Sequence, residues 1–197
     1  MTFESYSQAC QDAFVYHMLG KPTEPGTYLE LGANEAINCN NTYAFEKLGW
    51  SGLSIDIDEK YKKDFDENRK NAFIIADTTT IDWNQTLPQY FGESKLIDYL
   101  SFDVDEASCE TFVRFPFDMY EFKVITIEHD LYRFGPDTRN MMRRELSRRG
   151  YHLICHDVRF NGGMFEDWWV NPKYVNMDYA YKYICIGEEY KTIISVL

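Results

Sequence analysis

The chain is poor in positive charge. Its 197 residues carry 20 basic against 32 acidic side chains, a formal net charge of −12. Such a field repels a phosphate backbone, so no nucleic-acid partner is expected. The densest basic stretch, "RNMMRRELSRR" at Arg139–Arg149, is interleaved with Met and Leu at helical spacing and reads as a solvated helix face. Long apolar runs are also missing. None approaches the ~18 residues of a membrane span, so no membrane partner is expected. Met1 is followed by polar residues rather than an apolar signal core. Cysteine is scarce and scattered: Cys10, Cys39, Cys109, Cys155 and Cys185 are odd in number and contain no C-x-x-C. That spacing argues against a zinc site or disulfide framework and for reduced thiols in a cytoplasm. Two glycine-rich phosphate signatures are absent. Without G-x-G-x-x-G there is no dinucleotide fingerprint, and without G-x-x-x-x-G-K-[ST] there is no P-loop.

What is present is a core-forming composition, 45% hydrophobic and 17% aromatic, at a length that fits a single domain over 1–197. Short apolar runs alternate with amphipathic stretches. Tyr28–Leu31, Leu53–Ile55, Phe73–Ala76, Tyr99–Phe102 and Val124–Ile127 read as strands of a parallel sheet covered on both faces. Asn41–Leu48, Lys60–Lys70, Asn84–Phe91, Ala107–Phe115 and Asp137–Arg149 have helical length, and Phe134, Met141, Met142 and Leu146 are spaced to share one face. After Gly150, "YHLICHDVRF" and "MFEDWWV" flank Asn161-Gly162-Gly163, a strong hairpin signal. The pattern predicts an α/β fold: a doubly wound, Rossmann-like, mostly parallel sheet ending in an antiparallel hairpin. Residues 1–25 form an N-terminal helical segment, and 171–197 an aromatic C-terminal extension. Its aromatics, with Trp168 and Trp169, suit core packing or a homodimer contact better than sugar stacking.

In such a sheet ligands sit at the carboxyl ends of the strands. An acid stands at each of those ends: Glu30, Asp56, Asp77, then Asp103 with Asp105, then Glu128 beside His129 and Asp130. Acids repel phosphates but suit hydroxyls, an exocyclic amine and positive charge. S-adenosylmethionine offers all of these. Gly32 would let the backbone approach its methionine part. Asp56 would accept from the ribose hydroxyls, and Asp77 from the adenine amine. The same acids also serve as helix N-caps, worth about 1 kcal/mol each.

These segments resemble a known family. "YLELGANEAINCNNTYAFEKLGWSGLSIDID" resembles the first cofactor-binding segment of FkbM-type class I methyltransferases, and "IDYLSFDVDEAS" their fourth-strand segment. "FPFDMYEFKVITIEHD" resembles the fifth, and "SQACQD" the family's N-terminal motif. The resemblance implies a seven-stranded sheet, with S-adenosylmethionine contacts at Glu30, Gly32, Asn34, Asp56 and Asp77. It also implies methylation of hydroxyl groups, often on sugars or natural products. Ala36 departs from a family glycine, which requires negative φ there. Glu106 and Ser108 depart on the loop facing the substrate.

Methyl transfer to a hydroxyl needs a base. His129 is the natural choice at neutral pH, with Asp103 orienting it or the substrate and Glu128 as a further candidate. Asp103, Asp105 and Glu128 could alternatively hold Mg²⁺. The leading expectation is a cytoplasmic S-adenosylmethionine-dependent O-methyltransferase acting on a sugar or small-molecule acceptor. The alternatives are a cofactor-binding interaction module that has lost catalysis and a nucleic-acid methyltransferase, the latter without a [DN]-P-P-[YF] motif or a Pro-Cys nucleophile.

Overall fold

The computed structural model describes residues 3–197. The first two residues of the 1–25 segment lie outside it. Five strands come first: β1 (Thr27–Leu31), β2 (Ser51–Asp56), β3 (Ala72–Ile75), β4 (Leu96–Phe102) and β5 (Glu121–Glu128). They run parallel in the order β3-β2-β1-β4-β5, and β7 (Gly163–Val170) then lies antiparallel between β5 and β6 (His152–Phe160). The chain steps outward from β1 to β3, then returns to β1's other side with β4. That reversal is the topological switch point, where the strand ends splay and leave a crevice.

Alternation along the strands assigns the two sheet faces. Leu29, Leu31, Leu53, Ile55 and Ile127 pack with Leu87, Phe112, Met142 and Leu146 on one face. Tyr28, Tyr99, Val124 and Trp168 pack with Phe14, Val15, Met18 and Phe45 on the other. Each fully buried side chain of this size stabilises by ~1.5–3 kcal/mol. The helices supplying these residues are α1 (Gln11–Met18), α2 (Tyr43–Lys47), α4 (Trp83–Phe91), α5 (Ser108–Arg114) and α7 (Pro136–Arg148); α3 (Lys62–Asn68) packs Phe65 into a smaller cluster with Ala33 and Ala36, and α6 (Leu131–Phe134) buries nothing. Asp82 caps α4 by accepting from the backbone of Asn84 and Gln85, and Pro136 opens α7 where no N–H is needed.

The hairpin turns at Asn161 and Gly162, both with positive φ (51° and 84°), the conformation that Asn-Gly tolerates. Three expectations need correction. Among the described residues the sheet has eight strands, not seven: Cys185–Ile186 in the extension pairs parallel with β6 as β8. Phe134 does not share α7's buried face; it ends the separate α6 and is 44% exposed. The basic face of α7 is not wholly solvated, because Arg139 and Arg143 turn inward onto Asp157 and Asp167.

Candidate functional site

A cleft of about 300 Å³ opens at the switch point, between the ends of β1, β2, β3 and β4. Its floor is set by Glu30, 2% exposed at the end of β1. Glu30 Oε2 accepts from Ser54 Oγ (2.7 Å), Thr42 Oγ1 (2.9 Å) and Asn40 Nδ2 (3.3 Å), and Oε1 accepts from the Asn41 backbone (3.2 Å). Burial raises its pKa, and Arg69 and these donors work against that rise. Glu30 is thus largely occupied with fastening loop 33–42 to the sheet.

Sequence reasoning missed a second fastener, Arg69. Its guanidinium donates to Glu46 (2.6 Å), Ala36 O and Asn40 Oδ1 (both 3.0 Å), Tyr28 Oη (2.8 Å) and Thr42 Oγ1 (3.0 Å). Five bonds from one buried group are what a rigid guanidinium fork permits. Ala36 is buried with its N–H bonded to Asp64 and lies outside the positive-φ residues, so its methyl group is accommodated.

Gly32 has φ +76° and faces the end of β4 so closely that a Cβ would lie 1.5 Å from the Asp103 carbonyl oxygen. Its freedom serves the meeting of two strand ends at the rim. Asn34, also at positive φ, donates its backbone N–H to Asp56 Oδ2 (2.8 Å), while Asp56 Oδ1 accepts from the Asp58 backbone (2.9 Å). Each Asp56 oxygen therefore keeps a lone pair, and the carboxylate lines the cleft. Beside it Ile57, also lining the cleft, is 68% exposed, an apolar wall that composition alone does not reveal. Asp77 lines the far end with Thr78; Thr79 donates twice to Asp77 Oδ1 and lowers its pKa. Asn41 supplies a further signal. Asn41 lines the cleft; its Nδ2 donates to Ser101 Oγ, while its Oδ1 is buried beneath the cleft surface and accepts from no group among the described residues. A buried acceptor left unpaired costs about 1–3 kcal/mol, so it is poised for an N–H or O–H donor.

A second cavity of about 510 Å³ adjoins the first through Gln8, Asn34, Asp103 and Asp105. It adds Glu128 and Asp130 from the end of β5, Tyr132 and Arg133 from α6, and Phe160 and Phe165 from the hairpin. Asp103 and Glu128 both present their carboxyls to this cavity, from the ends of neighbouring strands β4 and β5. Burial raises both pKa values. The Asp103 charge raises Glu128's further, and Asp105 and Asp130 raise Asp103's, so the pair retains a proton that isolated carboxylates would release.

His129, the expected base, lies apart from both cavities. Its side chain is 1% exposed and lines neither cavity. Nδ1 accepts from the Leu131 backbone (3.2 Å), which puts the ring proton on Nε2, facing Asp167 (3.4 Å) and Asp157 (3.7 Å). Those acids are held by Arg143, bidentate on Asp167 at 2.7 Å, and by Arg139 on Asp157 at 2.9 Å. Burial opposes ionisation of Asp167, yet Arg143 and His129 hold its carboxyl below the ordinary range. His129 anchors the turn and opens onto neither cavity. The carboxylates that converge also differ from the expected metal set. Ligand atoms of Asp105, Glu128 and Asp130 lie within 4.8 Å of one another, and Asp103 is not among them. Arg133 already bridges Asp105 (2.6 Å) and Asp130 (2.8 Å).

No protein-family model and no curated protein matches this chain. Solved structures do. A protein described as a caffeoyl-CoA O-methyltransferase from Staphylococcus aureus is 11% identical with a TM-score of 0.56, covering 86% of each chain. An rRNA methylase from Streptococcus thermophilus is 14% identical with a TM-score of 0.52, over 80% of this chain and 94% of that one. The human methyltransferase 10 domain containing protein is 13% identical with a TM-score of 0.51, over 81% and 80%. At these identities the likeness establishes the fold alone: an α/β mixed sheet, mostly parallel, with antiparallel strands at its C-terminal hairpin. Among the described residues no helix is long and apolar enough to cross a membrane.

Proposed function

We propose that this chain is an S-adenosylmethionine-dependent methyltransferase of the FkbM type, acting on a hydroxyl of a sugar or small natural product. The observation that carries this reading is the cleft's donor–acceptor inventory. Asp56 keeps free lone pairs at the end of β2, Ile57 lies bare beside it, and Asn41 Oδ1 is an orphaned acceptor near the end of β1. Together these fit a ribose diol, an adenine face and an ammonium. Among the described residues the one cation lining the cleft, Lys60, is already paired with Asp58 at 2.6 Å, and the remaining side chains favour hydroxyl and amine donors over a phosphate.

When bound, S-adenosylmethionine supplies an electrophilic methyl carbon on a sulfonium. Asp56 would hold the ribose hydroxyls, Asn41 and Glu30 the amino group, and Asp77 with Thr78 the base. Gly32 and Asn34 shape the rim, which also fixes Asp103 where cleft and cavity meet. The acceptor enters by the second cavity, and its hydroxyl proton passes to the Asp103–Glu128 pair. That pair replaces His129 as the base in this reading. A carboxyl pair holding one proton has a second basic site still free and a pKa raised toward neutrality, as general-base work requires. Alignment within a walled cavity supplies the remaining advantage.

Transfer of a labelled methyl group from S-adenosylmethionine to a panel of sugars and aminated natural products tests the activity. Turnover that falls at least tenfold in Glu128→Gln, with unchanged donor affinity, supports it. Donor binding without transfer to any acceptor would favour the interaction module. Methylation of RNA alone would replace the acceptor class.

A further inference from the structure

Two cysteines that lie far apart in the sequence meet across the sheet. Cys155 in β6 and Cys185 in β8 are directly opposed in the parallel pairing of those strands. Neighbouring strands lie about 4.8 Å apart, within the Cα separation of about 4.4–6.8 Å that a disulfide spans. Residues in register project to the same face, and both side chains pack in the same apolar cluster. The Cys155 thiol is aimed at the extension: its Sγ donates to the Tyr183 carbonyl at 3.8 Å. Cys155 is fully buried, whereas Cys185 is partly exposed. Burial pushes the Cys155 thiol well above its ordinary pKa, and the neighbouring Cys155 lowers that of Cys185. Cys185 is therefore the nucleophile that a solvent-borne oxidant meets first, with Cys155 the thiol behind it.

The residues that follow Cys185 brace the hairpin tip. The Gly187 N–H donates to His156 O, and the Arg159 N–H to Glu188 O, both at 2.8 Å. Glu189 Oε1 accepts from the Gly162 N–H at 2.8 Å, and the Tyr190 ring stacks on Phe160 with centroids 5.6 Å apart. Phe160, Asn161 and Gly163 in turn wall the second cavity. The strand that holds this brace to the sheet, β8, is two residues long and lies at the sheet's edge. We propose that Cys155 and Cys185 form a reversible dithiol–disulfide site, and that closing it clamps the extension, and with it the hairpin tip, to β6. The oxidant is a low-molecular-weight disulfide. The Cys185 thiolate attacks one of its sulfurs, forming a mixed disulfide and releasing one small thiol. The Cys155 sulfur then displaces the second small thiol, which takes up the proton that Cys155 gives up. Two protein thiols are oxidised and one small disulfide is reduced to two thiols.

The test incubates the full chain in buffers of graded glutathione to glutathione-disulfide ratio, quenches with acid, blocks remaining thiols with N-ethylmaleimide in denaturant, and maps the digest by mass spectrometry. The expected result is a Cys155–Cys185 linkage that forms in the native chain with one midpoint and is reversed by dithiothreitol. Amide hydrogen exchange should slow at least fivefold on oxidation across residues 185–190 and 160–163. The partly exposed Cys185→Ser should keep the fold, leave Cys155 a free thiol in the most oxidising buffer, and show no such change in exchange. Cys155 of the wild type still taking maleimide in that buffer, with or without glutathione on Cys185, would overturn the site. So would a linkage that forms only when oxidation is run in urea. A native linkage without slower exchange at the hairpin tip would overturn the clamp. Neither a methyl donor nor an acceptor takes part, so these outcomes are independent of the methyltransferase reading.

Discussion

Gly32 and Asp103 meet at the rim of the sheet with no room between them: a Cβ on Gly32 would sit 1.5 Å from the Asp103 carbonyl oxygen. The Asp103 N–H completes the junction by donating to Leu31 O (3.0 Å). Gly32→Ala must therefore push the end of β4 away while holding a side chain at positive φ. Together these cost at least about 2 kcal/mol. Urea denaturation should show that loss, and the variant should lose affinity for S-adenosylhomocysteine. An unchanged midpoint would mean the two strand ends are not in contact.

The Asp103–Glu128 pair makes stability depend on pH. A carboxyl held above its unfolded range keeps a proton that the unfolded chain has released. Stability therefore falls as pH rises above the unfolded carboxyl value, ~4, toward the raised folded values. Glu128→Gln removes the like-charge repulsion. It should gain about 1–2 kcal/mol over wild type at pH 8, a gain that shrinks as pH approaches 4. Thermal melts across that range measure it, and a variant less stable than wild type at pH 8 would show that Glu128 is not strained.

His129 and Asp167 predict the reverse trend. Asp167 is held below its ordinary range, so the stability it supplies is complete above the unfolded carboxyl value and lost as pH falls through its folded one. Asp167→Asn leaves the part-exposed Arg143 without its full partner at a buried carboxylate position and should cost about 3 kcal/mol at pH 7. His129→Ala should also lower the melting temperature while leaving the shape of the pH–rate profile as in wild type. Loss of one limb of that profile would restore His129 as the base.

Much of the architecture was written in local patterns. Apolar runs such as Leu53–Ile55 marked strands, and Asn161-Gly162 marked the hairpin, because period and turn chemistry act over a few residues. β8 was not legible: two residues in an aromatic segment become a strand only because β6 offers them an open edge. The acids at the strand ends were visible, and Asp56 lies on the cleft as expected. The role of Glu30 shifted, because its four donors come from residues up to 24 positions away. His129 misled for a related reason. Its ring direction is set by Asp157 and Asp167 on the irregular β6–β7 pairing, and nothing near residue 129 encodes that. Arg69, in "NRKNAF", looks like any surface charge until α3 folds it beneath the loop.

Arg69 carries a fourth prediction. Arg69→Met removes five bonds and strands Glu46, whose charge it neutralises at 2.6 Å. The cost should be about 3–5 kcal/mol. Hydrogen exchange should then rise across residues 33–42, while the hairpin keeps its protection. Uniform exchange across both segments would contradict a local fastening role.

The central claim is that the switch-point cleft receives S-adenosylmethionine through Asp56. Calorimetric titration of wild type and Asp56→Ala with S-adenosylhomocysteine tests it most directly. The account predicts saturable one-to-one binding that weakens at least tenfold in the variant while the fold is retained. No binding by wild type, or equal affinity in both proteins, would contradict it.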